Sequence, residues 1–234
     1  MKPEAIETLS FSIIDQEAGL HGFPPPQWAV VRRMIHTSAD FEYQTSIRFH
    51  PQAIAAGINA IRGGGPIFTD TNMARAGIRQ RDLAPFGSRV TCLMTDPAVA
   101  RLAAEQGTTR AQAAVETAAE AMKGGIYVVG NAPTALLHLI ELVRSGRAAP
   151  SLIVGMPVGF VNAAESKAAL EACTIPYITN RGRKGGSNVA AAVANALILL
   201  AGKPSAGEVT KGKRQWTNPT ASSTDSASAP ATPS

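Results

Sequence analysis

Three cations and three glycines occupy six consecutive positions: Arg181, Gly182, Arg183, Lys184, Gly185 and Gly186. A short apolar run at 175–178 precedes them. Ser187 or Asn188 then stands where it can cap an alanine-rich helix over 189–201. Glycine lets a backbone turn tightly and approach a ligand closely. The start of a helix offers unpaired N–H groups and a partial positive charge, and cations beside it suit an anion. The competing reading is a solvated basic loop. A second set lies upstream: Arg32, Arg33, Met34, Ile35, His36, Thr37, Ser38, Ala39 and Asp40. Imidazole exchanges a proton near neutral pH, and His36 is the one histidine with both cations and hydroxyls around it. A histidine at a helix end can equally be structural, and Asp40 either orients His36 or pairs with a nearby arginine.

These groups need elements to hold them. Apolar strand patterns lie at 66–69, 89–94, 126–129, 152–154 and 175–178, with helical patterns at 97–106, 109–122, 133–143 and 163–172 between most of them. Alternation of this length predicts βαβ units. The expected fold is α/β, a doubly wound and mostly parallel sheet of about five strands with helices on both faces. An N-terminal helical or mixed segment covers 2–14 and 25–35, and another helix spans 51–62. In such a fold the ligand sits at the carboxyl ends of the strands. Polar residues collect there: Asp70, Thr71 and Asn72 after the first strand, Asn131 after the third, and the basic loop after the fifth. Asn131 either meets the ligand or caps its helix. The turns carry no G-x-G-x-x-G after a strand and no G-x-x-x-x-G-K-[ST], which argues against an NAD or ATP enzyme.

The composition sets outer limits. The 234 residues are 45% hydrophobic and 17% charged, as in a globular domain. The expected organisation is a single domain over 1–203 and a disordered Ala/Ser/Thr/Pro-rich tail over 204–234. Of the net charge of +5, +1 lies beyond Ser205 (Lys211, Lys213 and Arg214 against Glu208 and Asp225). The body's mild excess suits an acidic small molecule. With 5% aromatics, nucleic acid is not expected as a partner. The run 189–201, interrupted by Asn195, is too short to span a bilayer, and the first residues lack a signal-peptide pattern. Cys92 and Cys173 have no paired spacing and read as reduced thiols of a cytoplasmic protein.

Five segments, taken in order, resemble the precorrin-8X methylmutases of cobalamin biosynthesis and their cobalt-precorrin-8 counterparts. They are SFSII at 10–14, VVRRMIHTSADFEY at 30–43, GNAPTAL at 130–136, GMPVGFVNAAESK at 155–167 and TNRGRKGGSNVAAAVANAL at 179–197. The likeness runs from about residue 3 to 203. It implies an isomerase that moves a methyl group from C-11 to C-12 of an acidic corrin-type macrocycle by a [1,5]-sigmatropic shift, with no cofactor and no metal. By residue match, His36 would protonate a ring nitrogen. Arg33, Arg181, Arg183 and Lys184 would pair with substrate carboxylates. Ser10, Thr71 and Asn131 would add polar contacts, although Ser10 could be an ordinary capping serine. The family also implies a homo-oligomer with its site near a subunit boundary. Two other classes stay open: a non-catalytic tetrapyrrole carrier, and an S-adenosylmethionine-dependent methyltransferase. The second would need a glycine-rich loop where Asp70-Thr71-Asn72 stands.

Overall fold

The runs Ile126–Val129 and Leu152–Gly155 are buried at every position. Continuous apolar runs of this kind belong to parallel strands covered on both faces. The computed structural model describes residues 2–204, so the expected tail, Pro204 aside, lies outside the described residues. In chain order the elements are α1 (Pro3–Ala18), α2 (Pro25–Ser38), α3 (Tyr43–Ser46), β1 (Ile47–Phe49), α4 (Ala53–Arg62), β2 (Ile67–Thr69), α5 (Asn72–Gly77), α6 (Gln80–Leu83), β3 (Val90–Cys92), α7 (Pro97–Gln106), α8 (Arg110–Ala118), β4 (Ile126–Val129), α9 (Pro133–Arg144), β5 (Leu152–Gly155), α10 (Ala163–Glu171), β6 (Tyr177–Asn180) and α11 (Ser187–Ala201). The six strands form one sheet in the order β1-β6-β5-β4-β2-β3. Every pairing is parallel except that of β1 with β6.

Alternation along the strands divides the core in two. Ile67, Ile126, Val128, Leu152, Val154 and Ile178 face one layer, with buried residues of α2, α4 and α11. Phe68, Tyr127, Val129 and Ile153 face the other, with α8, α9 and Leu170 of α10. Val99 and Ala103 of α7 pack behind, against Ala113 and Ala114 of α8. The fold is therefore α/β, mostly parallel and covered on both faces. No described helix is long and apolar enough to cross a membrane.

The structure corrects several details. Six strands stand where about five were expected, because the three-residue edge strand β1, with one buried position, is too short to show a period. β6 starts at Tyr177, two residues later than the apolar run suggested. Proline has no N–H for a ladder, and Pro176 precedes the strand, its carbonyl accepting from Ile153 N at 3.0 Å. The helix expected to reach Met122 ends at Ala118. Neither Ser187 nor Asn188 caps α11. Gly186 occupies the N-cap position, with no side-chain cap.

The sheet's direction of winding reverses between β2 and β4, since β3 lies on one side of β2 while β5 and β6 continue beyond β4. Such a reversal opens a crevice at the carboxyl ends of the strands. Asp70, leaving β2 and 1% exposed, fills its base. Its carboxylate accepts N–H bonds from Gly130, Asn131 and Ala132 after β4, each at 2.8 Å. Burial pushes this carboxyl above its ordinary range while the three donors pull it back. Next to this knot, a Cβ on Gly130 would lie 2.7 Å from Ser187 Cα, so the turn after β4 and the start of α11 are in direct backbone contact. Asp70→Ala should lower the unfolding free energy by about 3 kcal/mol or more, since one buried and two partly buried N–H groups lose their acceptor. Urea denaturation measures this, and Asp70→Asn, which keeps one acceptor oxygen, should lose less.

Candidate functional site

α2 starts on prolines, which suit a first helical turn, and buries Val30, Val31, Met34 and Ile35 at spacings of three and four. That stripe fixes what the rest of the helix presents: Arg33 is half-buried, and His36 and Thr37 are exposed. Ala39 ends the helix in a left-handed conformation, its N–H bonded to Ile35 O. His36 stands at the junction of two hollows. One, of about 360 Å³, is walled by α1 and the end of α2, with Ser10, Ile13, Ile14, Ile35 and Phe41 beside His36. The other, of about 210 Å³, lies between α2 and α11, where Arg33, His36 and Thr37 face Asn188 and Asn195. Phe11 of α1 packs its ring 5.0 Å from the imidazole and lies under the guanidinium groups of Arg32 and Arg33, at 4.5 and 5.2 Å. A proton-exchanging ring, two hydroxyls, a cation and an apolar wall thus meet at the end of one helix.

Helix α11 approaches closely because most of its buried positions are alanine or valine. Asn195, the polar interruption in its apolar run, donates to Gly77 O at 2.9 Å and accepts from Arg79 N at 2.8 Å, holding the α5–α6 turn. At its start, Ser187 Oγ meets Thr71 Oγ1 at 2.8 Å. Thr71 also accepts from Ala74 N at 3.0 Å as the cap of α5.

The basic loop is built differently from the sequence expectation. A Cβ on Gly185 would lie 2.3 Å from Met156 O, so this glycine admits the neighbouring loop's backbone. Gly186 N donates to Met156 O at 2.9 Å and Gly159 N to Arg183 O at 3.1 Å. Its cations are engaged. Arg181 makes a two-pronged pair with Glu171 of α10, at 3.0 to 3.3 Å. Lys184 bonds Asp40 at 2.6 Å and Glu42 at 2.7 Å. Arg183 is exposed and stacks at 5.5 Å over the outlying Phe160.

The structure brings Ser10, Arg33 and His36 together, and places Thr71 one residue from Asn188 through Ser187. Lys184 joins the loop to the segment just after His36. Arg181 points instead to α10. Asn131 is exposed beside the Asp70 knot and is no cap, since α9 begins behind Ala132 without a side-chain cap. Ser10 lies inside α1 and caps nothing. Arg33 is paired with Glu7 at 3.1 Å. Asp40 serves neither His36 nor an arginine. Phe11, Asn188 and Lys167 lie in the segments 10–14, 179–197 and 155–167, but nothing in their local sequence marks them as neighbours of these groups. Phe11 reads as helix core, and only the fold places Asn188 opposite His36. Among the described residues, no group of three or more His, Cys, Asp or Glu is placed to hold a metal ion.

Its bond to Lys184 holds the Asp40 carboxyl below the usual carboxylate range. The pair therefore adds stability above the pKa of a free aspartate and loses it as pH falls through the lowered value. Asp40→Asn should unfold at a lower urea concentration at neutral pH, and its gap from wild type should close as pH falls below the ordinary aspartate range.

The family model described as precorrin-8X methylmutase matches residues 5–200. A cobalt-precorrin-8 methylmutase of Priestia megaterium is 45% identical over 201 residues, covering 86% of this chain and 89% of the relative. The precorrin-8X methylmutase of Pseudomonas aeruginosa is 42% identical over 196 residues, covering 83% and 94%. The crystal structure of a precorrin-8X methylmutase from Thermus thermophilus superposes with a TM-score of 0.79 at 50% identity, covering 85% of this chain and 96% of that one.

Proposed function

The chain belongs to the precorrin-8X methylmutase family, and on that premise we propose that His36 is the proton donor for the methyl shift of the family's reaction. The protein is a methylmutase, an isomerase acting on a precorrin tetrapyrrole in cobalamin biosynthesis. The observation that carries the role of His36 is its position at the junction of two hollows, with Ser10 and an apolar wall on one side and Arg33 and Asn188 on the other. Migration from C-11 to C-12 of an electron-rich macrocycle is eased when a ring nitrogen takes a proton. An imidazole can supply that proton and recover it afterwards.

The remaining assignments follow the chemistry of a flat apolar body bearing many carboxylates. Ser10 donates a hydrogen bond to a substrate carboxylate. Arg33, Arg183, Lys184 and, once released from Glu171, Arg181 pair with others. Thr71 and Asn131 add polar contacts at the strand ends. Ile13, Ile14, Ile35 and Phe41 take the face of the ring. The catalytic unit is the domain over 1–203 and works in the cytoplasm, a reading supported by free Cys92 and Cys173. It functions as a homo-oligomer with the site near a subunit boundary. Supporting this, Ile6, Leu9 and Ile13 form an exposed apolar stripe on α1, and Val158, Phe160 and Val161 are exposed near the basic loop.

The test is the absorbance spectrum over time after mixing the protein with excess precorrin-8X, and separately with its cobalt form. Moving the methyl group off C-11 lengthens conjugation, so a mutase shifts the bands to longer wavelength over many turnovers. A change that stops at one equivalent would mark a carrier. His36→Ala should keep the fold and bind tetrapyrrole while losing about 10²–10⁴-fold in turnover. A variant as fast as wild type would remove His36 from the proton step.

A further inference from the structure

Lys167 of α10 is 0% exposed, a rare state for a lysine. No carboxylate among the described residues pairs with it: Glu171 is engaged by Arg181, and Asp40 and Glu42 by Lys184. Its ammonium instead donates to the main-chain carbonyl of Lys184 at 2.6 Å and approaches Asn180 Oδ1 at 3.4 Å. Asn180 Nδ2 donates to the same carbonyl at 2.8 Å and approaches Arg181 O at 3.2 Å. One carbonyl of the basic loop thus takes two donors from beneath, one of them charged. A charge-assisted bond is the stronger kind, and the peptide it fixes lies between Lys184 and the Gly185 that touches Met156.

We propose that Lys167 is a positioning residue for substrate binding: its buried ammonium sets the loop 181–186 in the shape that presents Arg183 and Lys184 to the substrate's carboxylates. The inference rests on the proposed binding role of that loop. A buried charge without a counter-ion costs stability, so this lysine is a poor choice for holding the fold and a good one for fixing a carbonyl. Burial lowers its pKa to about 8. On the elements around it, burial raises the Tyr177 hydroxyl, Glu171 raises Arg181, and Asp40 and Glu42 raise Lys184. The destabilising charge is present below about pH 8 and relieved as pH rises towards the ordinary lysine value. The bond that shapes the loop weakens over that same interval.

Lys167→Met keeps the length of the side chain and removes its donors, while Asn180 still satisfies the Lys184 carbonyl. With precorrin-8X as substrate, KM should rise about tenfold with kcat little changed, and the Tm at neutral pH should equal or exceed that of wild type. In wild type, KM should climb above about pH 8, and in Lys167→Met it should not. Arg183→Ala serves as the control for the loop. If Arg183→Ala raises KM and Lys167→Met does not, the inference about Lys167 fails and the loop's role stands. If neither raises KM, both fail. A lowered Tm with unchanged KM would make Lys167 a structural residue. Should Lys167→Met not fold, a flat wild-type KM between about pH 7 and 9 overturns the inference.

Discussion

The Asp70 carboxylate and the three backbone N–H groups it receives hold the carboxyl end of the sheet in one arrangement. The crevice that a doubly wound sheet offers a ligand is here closed at its base by a buried acid. Closure draws the turn after β4 over β2 and brings Gly130 against Ser187, which fixes where α11 begins. α11 in turn supports α2, and α2 carries His36. Asp70 is thus linked to the helix that carries the imidazole by the turn after β4, the start of α11 and the side-chain packing of α11 on α2. The two hollows beside His36 lie on the ground between α1, α2 and α11.

Small side chains make the hollow between α2 and α11 possible. Alanine and valine on α11 let α2 lie close enough for Arg33, His36 and Thr37 to share a hollow with Asn188 and Asn195. The glycines of the basic loop act in the same way. Gly185 admits the backbone of the neighbouring loop at Met156. The motif's composition is that of an anion loop, but much of it is spent on packing the loop against 155–159.

Much of this was legible in the sequence. Buried strands wrote themselves as continuous apolar runs, and helices as three- and four-residue spacings, so the α/β class and the order of elements followed. β1 did not show, because three residues on an edge give no alternation to read. The capping role expected of Ser187 or Asn188 failed for a tertiary reason: Thr71, 116 positions away, claims the serine hydroxyl. Arg33 and His36 stand in one short segment of sequence, whereas Ser10 stands in another, and only the packing of α1 on α2 puts it in a hollow with His36. Lys167 was not legible. A lysine in an alanine-rich helix reads as solvated surface, and only the fold turns it inward beneath the basic loop.

The cations assigned to the substrate are mostly paired already, and this bears on how a polyanion would be selected. Arg33 sits with Glu7, Arg181 with Glu171, and Lys184 with Asp40 and Glu42. These pairs are at least partly exposed, so each contributes little to stability and gives up its carboxylate at small cost. A ligand with one carboxylate gains almost nothing by such an exchange, because it replaces one exposed pair with another. A ligand with many carboxylates on a rigid ring makes several exchanges within a single binding event, after the cost of immobilisation has been met once. If these cations bind substrate as proposed, the protein's own carboxylates would serve as placeholders. They hold the cations oriented in the free protein and would set a threshold favouring a ligand of high charge number over small acids with one carboxylate.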